Sequence, residues 1–201
     1  MRKIVYLIRH AQSVGNAAGI SEGRSDSDDL TPLGIEQAKL LRAGLARADV
    51  GYETYSSPVR RAVSTAKIIS LTGDVGVMDD FTELELGEVT NKDEREILKK
   101  DPDWQDSFFS RENAYRVESF EEVYYRMTHG IEKLIRKGLP ERVAIVTHAD
   151  CVRSLLSRKY NIVSKEIFKV PVDNASVTIL SWHGKGFEVL GINVLPMDYF
   201  R

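Results

Sequence analysis

The chain has 201 residues, 42% of them hydrophobic, which is enough for one sizeable core that needs no disulfide or metal to hold it. Lys and Arg number 28 against 30 Asp and Glu, a balance that excludes a general nucleic-acid or anionic-membrane surface but leaves room for a local basic pocket. The single cysteine, Cys151, excludes an intramolecular disulfide framework and fits a reducing, cytoplasmic setting.

The elements follow in order along the chain. Residues 4–8 are apolar and largely β-branched, the pattern of a fully buried strand. Arg2-Lys3 before this run imitates a signal peptide, but Arg9-His10 cuts the run short, and no transmembrane segment is expected. Residues 11–30 are polar and without periodicity, and they read as a long functional loop. Thr31 caps a helix with Pro32 in its first turn, and Gly34, Ala38, Leu41, Leu45 and Ala48 form its packing face. A short strand over 53–56 precedes a helix capped by Ser57, with Pro58 next and Val59, Ala62, Val63, Ala66 and Ile69 buried. A strand over 75–78 leads to Phe81 and Glu83.

Residues 91–118 are charged and aromatic and predict a small helical insertion, with a helix over 92–100 stopped before Pro102. Ser119 and Glu122 form a capping box for a long helix that Gly138 and Pro140 end. A second buried strand over 143–147 runs directly into His148, and a helix follows it. Strands over 176–182 and 187–194, joined through His183-Gly184-Lys185-Gly186, read as an antiparallel hairpin. Alternating strands and helices with a terminal hairpin predict one α/β domain over 1–201, a three-layer sandwich with a mostly parallel central sheet.

Such a sheet binds ligands just beyond the carboxyl ends of its strands. Arg9, His10 and His148 fall there, and Arg61 lies in the first turns of the second helix. Planar guanidinium forks near a helix start suit phosphate oxygens. A histidine can attack phosphorus, and a carboxylic acid can protonate the departing alkoxide and later activate water. No Gly-x-x-x-x-Gly-Lys loop is present, so an ATP P-loop is not supported.

At these residues the chain resembles the histidine phosphatase superfamily, in its phosphoglycerate mutase-like branch. The pattern Arg-His-Gly-(Glu/Gln)-Ser-x-x-Asn is matched from Arg9 to Asn16, with Ala11 in place of glycine. Leu30, Thr31, Gly34, Gln37 and Ala38 match a second motif, and Ser57, Pro58, Arg61, Ala62, Thr65 and Ala66 a third. Glu83 before Gly87, Glu118-Ser119, His148 and Asn174 also match. The resemblance implies that His10 is the nucleophile, that Arg9, Arg61 and His148 hold the phosphoryl oxygens, and that Glu83 is the general acid and then the base. It places Asn16 and Ser13 in the same pocket or directly behind it. It further implies a phosphatase for a small phosphorylated metabolite, without a metal, with the insertion over the active site. A phosphoglycerate mutase primed by 2,3-bisphosphoglycerate is the alternative, weakened because Leu86 stands where mutases carry a tyrosine.

His10 neutral and His148 protonated predict a bell-shaped pH profile. Asp150 is expected to cap the helix after His148 and to face away from the phosphate. His129, His183 and Cys151 read as ordinary structural residues, and Arg95, Lys99, Arg111 and Arg116 as a solvated face. A catalytically silent phosphate-binding protein and a metallohydrolase are the readings from other classes. No apolar stripe is left over once sheet and helices are covered, so a homodimer stays open.

Overall fold

The structure, a computed structural model, describes residues 2–26, 29–47, 51–138, 141–184 and 186–195. Ala48, Pro140 and Lys185, to which the sequence assigns a helix face, a helix stop and a turn, lie outside the described residues.

Six strands form the central sheet: β1 (Lys3–Arg9), β3 (Glu53–Ser56), β4 (Gly76–Val77), β6 (Arg142–Thr147), β7 (Val177–His183) and β8 (Gly186–Val194). Their order is β4-β3-β6-β1-β7-β8. The first four run parallel, and β7 and β8 close the sheet as the expected antiparallel hairpin. Alternation on the central strands divides the core in two. Val5, Leu7, Val143 and Ile145 face helices α5 (Phe120–Arg136) and α6 (Ala149–Tyr160). Ile8, Ala144 and Val146 face α2 (Pro32–Arg47) and α3 (Arg60–Ile69). The layers are therefore helix, sheet, helix. Among the described residues no helix is long and apolar enough to cross a membrane.

Local chemistry explains where the structure departs from the sequence reading. The 11–30 stretch is not all loop. Ser13 and Asn16 form a capping box that starts the short helix α1 (Val14–Ala18), and β2 (Ile20–Ser21) follows it. β2 pairs with β5 (Lys92–Asp93), so the helix expected from residue 92 begins instead as α4 (Glu94–Lys100), capped by Asp93. Ser57 is not the cap of α3: its hydroxyl takes the Val59 N–H at 3.2 Å, and the helix starts two residues past Pro58. The 75–78 strand shrinks to Gly76–Val77, the part paired with Tyr55 and Ser56.

The backbone just after His10 is held by residues of the second and third motifs. Thr65 Oγ1 accepts the Ala11 N–H at 3.0 Å, and Gln37 Oε1 accepts the Gln12 N–H at 2.9 Å. Thr31 caps α2 by accepting the Gly34 N–H at 3.0 Å and donates to the Gln12 side chain at 2.8 Å. A Cβ on Gly34 would lie 2.2 Å from the Gln12 carbonyl oxygen, so glycine alone permits this approach. Ala11 keeps a negative φ, so its methyl is accommodated where the family pattern has glycine.

Candidate active site

Parallel pairing of β1 with β6 sets Arg9 opposite Thr147, so the two strands deliver His10 and His148 side by side. Their ring centroids are 5.1 Å apart. Next to β6, β3 ends at Ser56, and the turn after it leads into Arg61 on the first turn of α3. Arg9, His10, Arg61 and Glu83 line a cavity of about 150 Å3, and His148, fully buried, stands behind its wall against His10 and Glu83. Sequence and topology thus bring Arg9, His10, Arg61, Glu83 and His148 to one place.

Hydrogen bonds orient the rings. The His10 Nδ1–H donates to the Ala11 carbonyl at 2.8 Å, which leaves the lone pair on Nε2. Arg61 Nε donates to that atom at 3.1 Å. His148 Nε2 lies 2.8 Å from the Ser57 hydroxyl, and its Nδ1 faces Arg61 Nη2 at 3.4 Å and Glu83 Oε2 at 3.6 Å. Arg61 is almost fully buried, and it also donates to the Gly23 carbonyl at 2.6 Å and the Ser25 carbonyl at 3.0 Å. Arg9 donates Nη1 to the Val172 carbonyl at 2.6 Å, while its buried Nε has no protein partner.

Asn16 lines the cavity and accepts from Asn174, whose amide also donates to the His10 carbonyl at 3.0 Å. Ser13 is fully buried behind it. Its hydroxyl accepts the Asn16 N–H at 3.1 Å and donates to Glu22 at 2.6 Å.

Burial and then the Arg61 charge hold both imidazoles well below the ordinary histidine value. His148 is thus disfavoured as a cation in this site, contrary to the sequence expectation; a bound dianion supplies the charge that would reverse it. Glu83 moves the other way: burial, with Asp150 adding repulsion, pushes its carboxyl up to about 7. Asp150 itself departs from expectation. The N-cap of α6 is His148 without a side-chain cap, whereas Asp150 lines the cavity and pairs with Arg153 at 2.9 Å. The i,i+3 spacing offers it that partner on the pocket side.

Three further features go beyond the sequence reading, which singled out only Glu118 among their residues, as a motif match without a role. Glu22 reaches the cavity from the loop after β2, Arg153 from α6, and behind Glu83 stands an ionic clamp. Arg126 forks onto Glu118 at 2.8 and 2.9 Å and donates to the Thr82 carbonyl at 2.5 Å. Arg24 bonds Glu118 at 2.8 Å and the Glu83 carbonyl at 2.9 Å. Burial opposes ionisation of Glu118, but the two arginines outweigh it and hold its carboxyl below the usual range. Breaking the fork with Glu118→Gln is expected to cost about 2–3 kcal/mol of stability, because Arg126 loses its counter-charge while its side chain stays largely buried. Denaturant unfolding of the variant checks this; a change under 0.5 kcal/mol would contradict it.

The insertion covers the site as expected. Glu94 of α4 and Trp104, Gln105 and Phe108 of the 3-10 helix Trp104–Phe109 line the cavity. Phe108 and Trp104 also belong to the core, their rings 5.2 Å apart. Arg95, Arg111 and Arg116 pair with Asp93, Glu121 and Glu88 on the surface.

The model of the histidine phosphatase superfamily (branch 1) matches residues 5–195. A Hydrogenobacter thermophilus protein named "Putative phosphoserine phosphatase 2" is 32% identical over 198 residues, 96% of each chain. The metal-independent phosphoserine phosphatase of Arabidopsis thaliana is 30% identical over 161 residues, covering 77% of this chain and 67% of that one. A 2,3-bisphosphoglycerate-dependent phosphoglycerate mutase of Thermoplasma acidophilum is 28% identical over 183 residues, 89% of this chain and 86% of the other. Among solved structures, a mycobacterial glucosyl-3-phosphoglycerate phosphatase complexed with VO3 superposes with a TM-score of 0.81 at 22% identity, over 96% of this chain and 98% of that one. With its family model spanning nearly the whole sequence and the strand-end histidines side by side, the chain belongs to the histidine phosphatase superfamily.

Proposed function

We propose that the protein hydrolyses a small phosphomonoester through a phosphohistidine at His10. The observation that carries this reading is the His10 tautomer: Nδ1–H is tied to the Ala11 carbonyl, and Nε2 presents a lone pair to Arg61 in the cavity that Glu83 also lines, with the His148 ring alongside. An entering phosphoryl group takes the Arg61 N–H from Nε2, and Arg9 brings its unpartnered Nε–H. Nε2 attacks phosphorus, the P–O ester bond breaks, and Glu83 gives its proton to the departing alkoxide. Glu83, now a carboxylate, takes a proton from water as the water oxygen attacks phosphorus. The N–P bond then breaks and inorganic phosphate leaves. Asn16 holds the loop after His10 through Asn174, and Ser13 supports it from behind.

Phosphate-binding cations are supplied by arginine, so the reaction is assigned without a metal, in line with the metal-independent name of the Arabidopsis relative. A cytoplasmic setting fits the buried free thiol of Cys151. The relatives' names make phosphoserine the first substrate to assay, beside 3-phosphoglycerate, sugar phosphates and nucleotides. Phosphate release is expected to be indifferent to chelators and blocked by vanadate, which imitates five-coordinate phosphorus; loss of activity on chelation would favour a metallohydrolase instead.

The Thermoplasma relative supports a second reading, the mutase primed by 2,3-bisphosphoglycerate. Leu86 speaks against it, since it brings an apolar side chain to the cavity wall where mutases carry a tyrosine. Interconversion of 2- and 3-phosphoglycerate only when the bisphosphate is added would decide for the mutase.

A further inference from the structure

The carboxylate of Glu22 is out of place in a pocket for anions. It lines the cavity, its side chain is only 3% exposed, and its Oε1 lies 3.6 Å from Arg61 Nη1 with no hydrogen bond of its own. The other oxygen accepts the Ser13 hydroxyl at 2.6 Å. The place is built for this group. A Cβ on Gly15 would lie 2.3 Å from the Glu22 carboxyl carbon, so α1 leaves the slot that Glu22 fills.

Arg61 is the shared partner. Its Nε and Nη2 are committed to His10 and the Gly23 carbonyl, while Nη1 meets the Ser25 carbonyl on one side and Glu22 on the other. A phosphoryl group entering beside His10 draws on the same guanidinium, and a carboxylate so close repels its negative charge through a medium of low screening.

We propose that Glu22 is an internal counter-anion of Arg61, an affinity-setting residue that competes with bound phosphate and so weakens product binding and speeds its release. The inference rests on the phosphate pocket assigned above. In the empty pocket Glu22 neutralises a buried guanidinium; in the loaded one it opposes the ligand. An enzyme with such a group trades tight substrate binding for turnover.

The test is the affinity for inorganic phosphate, measured by titration calorimetry on the wild type and on Glu22→Gln, which keeps shape and removes charge. The variant is expected to bind phosphate about tenfold more tightly or better, given one unit charge a few ångströms from the ligand. Its Ki for phosphate as a product inhibitor should fall alongside the Kd. A second variant, Gly15→Ala, displaces the Glu22 side chain and should shift the Kd in the same direction. Unchanged affinity in Glu22→Gln would overturn the proposal. Weaker binding would overturn it too, showing that Glu22 enters as a neutral acid and donates to the phosphate. If neither protein bound phosphate, the pocket assignment itself would fall, a failure distinct from the loss of a Glu22 effect in a protein that does bind it.

Discussion

Replacing His10 with alanine is expected to lower phosphatase activity roughly 10^4-fold or more, equivalent to about 5.5 kcal/mol of barrier. The size follows from covalent chemistry: without the Nε2 lone pair no phosphoenzyme forms, and water must attack the ester directly across the same pocket. What remains is binding and charge stabilisation by Arg9 and Arg61, which line the cavity. The fold should survive. The backbone N–H of His10 still donates to the Thr147 carbonyl at 2.9 Å, and the lost ring leaves a small void costing about 1–2 kcal/mol. Steady-state hydrolysis with a thermal melt as control checks both parts. Full activity in a folded His10→Ala protein would show that the nucleophile lies elsewhere.

The second large effect belongs to Glu83. Glu83→Gln is expected to lower turnover of alkyl phosphates about 10^2–10^4-fold, since an alkoxide must then leave unprotonated. An aryl phosphate with a good leaving group should lose far less in its first step, visible as a surviving burst of phenol. The pH profile carries an independent signature. Burial holds the Glu83 carboxyl up at about 7, so the acid needed for ester cleavage is present below that pH and lost above it. His10, held well below the ordinary histidine value by burial and Arg61, stays neutral as the pH falls. Activity should therefore fall above pH 7 with a one-proton slope and hold on the acidic side well below pH 6.5, and the alkaline limb should vanish in Glu83→Gln. A wild-type profile that rises through pH 7 to 9 would contradict the role.

How far the sequence went depends on the kind of information each residue carries. The strand-end histidines were legible because buried parallel strands impose their own pattern, and the run into Arg9-His10 and into His148 breaks it at the sheet edge. The helix starting at Ser119 was equally plain, because a capping box and an apolar stripe are local. Ser57 shows the limit of local rules: a serine before proline reads as a cap, yet its hydroxyl serves a turn and faces His148. Asp150 misled for a related reason: its i,i+3 pairing with Arg153 is local, but the turning of that face of α6 toward the cavity depends on tertiary placement. Glu22 and the Glu118–Arg126–Arg24 clamp left no periodic trace at all. Their partners are distant in sequence, Arg24 and Glu118 being 94 residues apart, and only folding reveals the pairing. That His148 is held neutral as well as His10 was likewise invisible, because desolvation is a property of the packed site.

The most direct measurement is to quench the enzyme during turnover of a 32P-labelled substrate and to ask which residue carries the label. The account requires one equivalent or less of phosphate on His10, labile in acid and stable in base, as an N–P bond demands, and absent from His10→Ala. Label on a serine or on a carboxylate, or burst-phase turnover with no labelled protein, would contradict it.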